Sequence, residues 1–229
     1  MIFFGSELFA GGHSSTLQDV KARGKLRCVV TTGLPGFAAP DANGVWRGFD
    51  WDFCRATAAA VLGDANAVDP ITSTGKTRFS KLNAGDVDVL WRNTTITFSR
   101  DVSVKLRFLG VNYYDGQGFM VNKSLGVSSA KELDGASVCI QTGTTTELNL
   151  ADYFSSNNMS YEAVTIETND EARQNYEAGR CDIYTTDASG LASTRSSLPN
   201  PNDHMVLPEI ISKEPLGPVS YTHLTLPTT

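Results

Sequence analysis

The chain has 229 residues, enough for one large domain or two small ones. It carries 19 basic against 25 acidic residues, a net charge of −6, which argues against the basic footprint of a nucleic-acid binder; its 41% hydrophobic content is too rich for a disordered chain. No apolar run approaches the roughly 20 residues that would span a bilayer.

Residues 1–15 begin with the short apolar run Ile2-Phe3-Phe4 and have no Lys or Arg before Lys21. They lack the basic and apolar regions of an export signal and read as an irregular segment. Ser15 or Thr16 can cap a helix over 17–23, stopped by Gly24. Residues 26–31 read as an apolar, β-branched strand. Asp50 stands where it would cap a helix over 51–62, with Phe53, Thr57, Ala60 and Val61 on one face and Gly63 at its end. A strand near Ala67 and Val68 follows, then a short helix over 79–84 and a buried strand over 87–91. Residues 113–117 read as a glycine-rich loop before a strand over 118–121.

The pattern then restarts. Ser129 with Glu132, and Thr144 with Glu147, have capping-box spacing; the second opens a helix to about residue 155, and a strand over 137–141 lies between them. A strand over 161–166, a helix from Asn169 to Gly179, a strand over 181–185 and a helix over 188–195 complete the series. Strands alternating with helices imply parallel sheets covered on both faces, and the restart near residue 120 implies two lobes. In such sheets ligands gather at the carboxyl ends of the strands.

Four loops at those ends carry candidate chemistry. In 31–37, Gly33 and Gly36 allow close backbone approach and Phe37 can supply an apolar wall. In 92–100, Arg92, Asn93, Thr95 and Arg100 bring guanidinium forks, an amide and a hydroxyl to one place, the donor set for a carboxylate. Residues 141–147 place Thr142, Thr144, Thr145 and Thr146 at a helix N-terminus that favours an anion, without the ending of a Walker loop. Asp187 ends a strand, where its carboxylate can either pair an ammonium or cap the next helix. His13, His204 and His223 are isolated, and neither a catalytic set, a metal cage nor a cofactor motif stands out. The four cysteines, Cys28, Cys54, Cys139 and Cys181, fall two to each half without CxxC spacing. They read either as buried thiols or as Cys28–Cys54 and Cys139–Cys181 bridges in an oxidising compartment.

Several stretches recur together in one family. They are Gly48-Phe49-Asp50-Trp51-Asp52-Phe53, Arg78-Phe79 before Leu82, Asp86-Val87-Asp88-Val89-Leu90, and Arg92-Asn93-Thr94-Thr95 with Arg100. Residues 110–119, 141–147, 184–187 and 207–218 continue the set in order. With these the chain resembles the periplasmic substrate-binding proteins of polar amino-acid ABC transporters (solute-binding protein family 3), above all the general L-amino-acid-binding branch. The resemblance implies an α/β, two-lobe periplasmic-binding-protein-like fold of type II. Lobe 1 would cover 16–118, lobe 2 119–212, and 213–219 would begin the returning hinge. It implies an L-amino acid ligand, a membrane permease as partner, a periplasmic monomer, and neither cofactor nor metal.

By the same resemblance Arg100 grips the α-carboxylate, Thr95 and the backbone at Asn93 contact the head group, and Thr145 adds carboxylate donors beside Thr142 and Thr144. Asp187 pairs with the α-ammonium and Arg78 faces the ligand side chain, favouring acidic or amide groups. Cysteine pairing within each lobe would leave the hinge free. The family continues beyond residue 218, so the expectation is a C-terminally truncated fold with an incomplete first lobe. Residues 220–229 resemble a translated sequencing adapter and are set apart from the fold. Two other functions share this fold: dehydratases acting on prephenate-like acids, and ligand-binding ectodomains of sensors.

Overall fold

The computed structural model describes residues 16–104 and 106–221. The expected irregular segment 1–15 and tail positions 222–229, with His13 and His223, lie outside the described residues.

The chain opens with α1 (Thr16–Arg23), β1 (Leu26–Val30) and a small hairpin, β2 (Ala39–Pro40) and β3 (Trp46–Arg47). α2 (Phe49–Leu62), β4 (Val68–Thr72), α3 (Arg78–Asn83), β5 (Val89–Leu90), α4 (Phe98–Ser103) and β6 (Leu106–Phe108) follow. The long β7 (Tyr113–Asn122) leads to β8 (Ala136–Gln141), α5 (Thr145–Ser156), β9 (Tyr161–Ile166), α6 (Asn169–Glu177), β10 (Ile183–Asp187) and α7 (Ala188–Ser196). β11 (His204–Val206), β12 (Ser212–Leu216) and β13 (Val219–Tyr221) end the described chain.

Two sheets result. The first has the order β4-β1-β5-β13-β6; the second runs β11-β7-β10-β8-β9, with β12 also paired to β7. Parallel pairing holds within β4-β1-β5 and β10-β8-β9, as the helix–strand alternation predicts. β7, β11, β12 and β13 pair antiparallel, so each sheet is mixed rather than purely parallel.

β1 is apolar except at Arg27, which pairs with Asp88, because both of its faces are covered: Leu26, Cys28, Val29 and Val30 are buried. On α2 the buried stripe is Asp50, Cys54 and Ala58, at the i, i+4 spacing of one helix face, and not the expected Phe53–Thr57–Ala60–Val61 face. A disulfide from Cys54 to Cys28 turns that stripe toward β1. Cys139 is likewise bonded to Cys181, so each bond stays within one sheet and its helices. In the second lobe Phe119, Leu150 and Phe154 are fully enclosed, each contributing roughly 1.5–3 kcal/mol by burial.

Other local readings change. Asp50 lies inside α2 and not at its cap, which is Gly48. Thr168, with Glu171, caps α6 in place of Asn169. Ser129 caps a single 3₁₀ turn, where Glu132 accepts from Ser128 N–H. Residues 113–117 are the first half of β7 and pair with β12 from Tyr113↔Leu216 to Gln117↔Ser212. The glycine there makes room and not a turn: a Cβ on Gly116 would lie 2.4 Å from Ile210 Cγ2.

β7 and β12 are the two crossings between the lobes. The far end of β12 reaches back to the first lobe, where Ile96 N–H donates to Pro215 O (2.8 Å) and Gly217 N–H to Thr94 O (3.0 Å). β13 then enters the first sheet between β5 and β6. Ser220 and Tyr221, set apart from the fold on sequence grounds, belong to this strand; Ser220 is fully buried and the Tyr221 hydroxyl donates to Val87 O at 2.8 Å.

Candidate functional site

The carboxyl ends of β5, β8 and β10 face one another across the gap between the lobes, and a small polar cavity lies between them. Its first-lobe wall is Arg78, Arg92, Asn93 and Thr95; its second-lobe wall is Gln141, Thr144, Thr145, Thr146, Thr186 and Asp187. The cavity holds about 20 Å³, room for roughly one water. The lobes are therefore closed on each other. Ser193 Oγ donates to Pro35 O (2.7 Å), Asn169 Nδ2 to Gly33 O (3.4 Å), and the Thr95 and Thr145 hydroxyls stand 3.3 Å apart.

Two guanidiniums, Arg78 and Arg92, line the first-lobe wall; Arg100, expected on the α-carboxylate, stands behind Thr95 and does not line the cavity. Arg78, at the start of α3, is 3% exposed, and its Nε is buried without a hydrogen-bond partner. Burial pushes its pKa well below the ordinary arginine value, and the charges of Arg100 and Arg92 add to the shift. Arg92 donates from Nε to Ser73 O (3.0 Å), and burial brings its pKa down to about 10 against the opposing pull of Asp50 and Asp187. Arg100 donates from Nη1 to Thr95 O (2.9 Å), and burial lowers its pKa while Glu214 and Asp187 hold it up. Arg78 and Arg100 both lie over the Phe79 ring, at 5.1 and 5.4 Å from its centroid.

Asp187 faces these cations from the end of β10. It precedes α7 but makes no capping hydrogen bond, so its carboxylate is not spent on the helix. Burial, with Asp115 and Glu214 nearby, drives its pKa well above the usual carboxylate range, opposed by Arg78 and Arg100. Dicarboxylate crowding beside guanidiniums stores an unmet demand for a cationic donor on one side and an anion on the other.

The remaining sequence candidates divide. Thr95, Thr144 and Thr145 line the cavity. The Thr144 hydroxyl is committed to its helix, donating to Gln141 O (2.7 Å) and accepting from Glu147 N–H. Thr142 does not line the cavity; its Oγ1 is buried without a partner. Asn93 lines the cavity, but its backbone N–H donates to Asp50 Oδ2 (2.9 Å), leaving its carbonyl and side chain for any ligand. Phe37 packs with Leu34 and Leu216 in a separate apolar cluster and lines a different pocket, with Phe49 and Tyr113, not this cavity.

Sequence reasoning gave no part in the site to four residues around this cavity. Asp50 braces Asn93 from beneath, and burial raises its pKa to about 6. Gln117 donates from Nε2 to Thr146 O and Thr185 Oγ1, both at 3.0 Å. Asp115 accepts from the Ser189 hydroxyl and backbone N–H. Glu214, 1% exposed on β12, accepts from Thr145 Oγ1 (2.9 Å) and Asn149 Nδ2 (2.7 Å). The sequence signal for Glu214 was its place in the matching stretch 207–218; its neighbours Lys213 and Pro215 give no alternating pattern that would mark it as buried.

Residues 26–178 match the model of the bacterial extracellular solute-binding proteins, family 3. The glutamate/glutamine/aspartate/asparagine-binding protein BztA of Rhodobacter capsulatus is 65% identical over 222 residues, 95% of this chain and 66% of its own length. The general L-amino acid-binding periplasmic protein AapJ of Rhizobium johnstonii is 58% identical over 205 residues, 90% of this chain and 60% of its own. A solved ABC transporter/periplasmic binding protein from Brucella ovis, with glutathione bound, superposes with a TM-score of 0.88 at 55% identity, over 92% of this chain and 66% of that one. The chain thus spans 60% to 66% of the length of these relatives.

Proposed function

The chain belongs to the bacterial extracellular solute-binding proteins, family 3, and from that membership we propose that it binds an L-amino acid between its lobes and delivers it to the membrane permease of an ABC transporter. One observation carries this reading. In a cavity shared by both lobes, the Asp187 carboxylate, free of any capping role, faces the buried guanidiniums of Arg78 and Arg92. A zwitterion needs one fixed anion, one fixed cation and neutral donors between them.

On this reading Asp187 pairs with the α-ammonium and Arg100 takes the α-carboxylate in a bidentate fork. The Thr95 and Thr145 side chains and the first backbone N–H groups of α5 complete the head-group site. Arg78, whose Nε lacks a partner, receives the ligand side chain, which favours glutamate, aspartate and their amides. The name of BztA, a relative at 65% identity, agrees with that preference. Lobes at 16–118 and 119–212 would part and close about β7 and β12, with the two disulfides stiffening each lobe and leaving the crossings free. The disulfides suit the oxidising periplasm, and a monomer suffices. The function is capture and release, not turnover.

Titration of ligand-free protein with the twenty L-amino acids by calorimetry tests this. We expect micromolar or tighter binding to acidic or amide amino acids, lost in both Arg100→Ala and Asp187→Ala. Folded protein that binds none of the twenty would sink the proposal, and turnover of prephenate would replace it with the dehydratase reading.

A further inference from the structure

The hydroxyl of Thr145 has one proton, and the structure says where it goes. Glu214 reaches up from the returning strand β12, and its carboxylate collects three donors. Asn149 Nδ2 (2.7 Å) and Ser212 Oγ (2.6 Å) donate to Oε1, and Thr145 Oγ1 (2.9 Å) donates to Oε2. Asn149 spends its second N–H on Ser212 Oγ at 3.0 Å, so the proton of Ser212 is left for Glu214. An ionised carboxylate only accepts, so Thr145 must be the donor in its bond to Glu214. Its lone pairs are then all that it can present to the cavity. The nearest hydroxyl across the cleft, Thr95 Oγ1 at 3.3 Å, can meet Thr145 only by donating. The chain of hydroxyls thus runs one way, from Thr95 to Thr145 to Glu214.

We propose that Glu214 is a positioning residue that fixes this polarity, so that the Thr95 and Thr145 hydroxyls offer lone pairs to a ligand ammonium and not protons to its carboxylate. The proposal rests on the amino-acid reading above and refines it. The ligand carboxylate is left to the guanidiniums and the backbone N–H groups of α5. The ammonium is held by Asp187 and by two neutral acceptors whose direction is set from behind. Thr145 cannot be turned to serve a carboxylate while Glu214 accepts its proton, because a fully enclosed carboxylate stripped of a donor is costly, and Thr95 can meet Thr145 only as a donor.

A double-mutant cycle on the purified protein tests this, with L-glutamate as probe and calorimetric Kd as readout. Glu214→Gln supplies an amide that can donate to Thr145 and reverse the chain; we expect about tenfold weaker binding. Thr145→Val should cost about tenfold as well, and Thr145→Ser should restore affinity to within about twofold of the parent. In the Thr145→Val background, Glu214→Gln should add less than about twofold, because the hydroxyl it orients is gone. Displacement of L-glutamate by glutarate, which has no ammonium, is the second arm. Its inhibition constant should change less than about twofold on Thr145→Val. Circular-dichroism melts of each variant confirm that it folds. Strictly multiplicative losses in the cycle, or a Thr145→Val penalty as large for glutarate as for L-glutamate, would overturn the proposal. Failure of the parent protein to bind any amino acid would instead overturn the functional reading on which it stands.

Discussion

An ammonium brought to Asp187 replaces the water that its carboxylate has lost. In the closed cleft that carboxylate is held in its neutral form to unusually high pH by burial and by Asp115 and Glu214. Binding a cation favours the ionised form, so it must expel the proton. Affinity for an L-amino acid is therefore expected to rise with pH until the free-protein pKa of Asp187 is passed, with proton release seen by calorimetry in two buffers of different ionisation heat. Asp187→Asn should flatten that profile and weaken binding by about thirtyfold or more, since it leaves a buried ammonium unpaired; a profile unchanged by the substitution would contradict the pairing. Asp50 gives a stability effect instead. Its folded pKa of about 6 lies above the ordinary 3.8, so the folded state binds the proton more tightly. The neutral carboxyl carries no penalty below about pH 4, and the penalty grows to about 3 kcal/mol as pH rises past 6. Asp50→Asn should gain stability relative to the parent across that window, measured by urea unfolding; a difference that is flat with pH would refute it. The strand-end position of Asp187 was legible in the sequence, but the burial of Asp50 was not. Asp50 resembled a helix cap, and only the packing of α2 beneath Asn93 shows its carboxylate accepting that backbone N–H.

At the level of elements, the sequence spoke clearly where one physical signal dominated. The β-branched runs of β1 and β9 and the Thr144 cap of α5 were legible because burial on both faces, alternation and capping each leave a local mark. The hinge was not. Its strand β7 begins with tyrosines and glycines that look like a turn, and its partner β12 lies about 100 residues away in sequence, so no local window contains the pair. β6 and α4 were missed for a related reason: β6 is three residues long, and α4 buries no side chain, so neither shows a periodic apolar face. The crossing also imposes a requirement that local reading does not reveal. A Cβ on Gly217 would stand 2.0 Å from Gly110 O, a contact of backbone with backbone that no rotamer change relieves. Gly217→Ala is expected to cost about 3 kcal/mol in urea unfolding, at the upper end of overpacking; a loss below about 0.5 kcal/mol would show that the two crossings are not in contact.

Across the whole molecule the closed arrangement depends on bare backbone at the lips of the cleft. A Cβ on Gly75 would lie 2.7 Å from Thr144 Cγ2 in the opposite lobe, and Thr144 is pinned by its own capping bonds. Gly75→Val should therefore obstruct closure while leaving each lobe intact. We expect roughly tenfold weaker amino-acid binding with the unchanged melting temperature of ligand-free protein; equal affinity would mean that ligand is held without this closure. The strand order of the first sheet has a different bearing, on how the molecule is made. Among the described strands, β6 pairs with β13 alone, and β13 comes after every strand of the second sheet. Among the described residues, the strands of the second sheet have all been made by residue 216, whereas the first sheet receives β13 only when residues 219–221 emerge. The Cys28–Cys54 bond closes over only 26 residues and can fasten α2 to β1 during that wait. Among the described strands, assembly thus runs against the direction of the chain: the lobe begun first is the one that receives its central strand last.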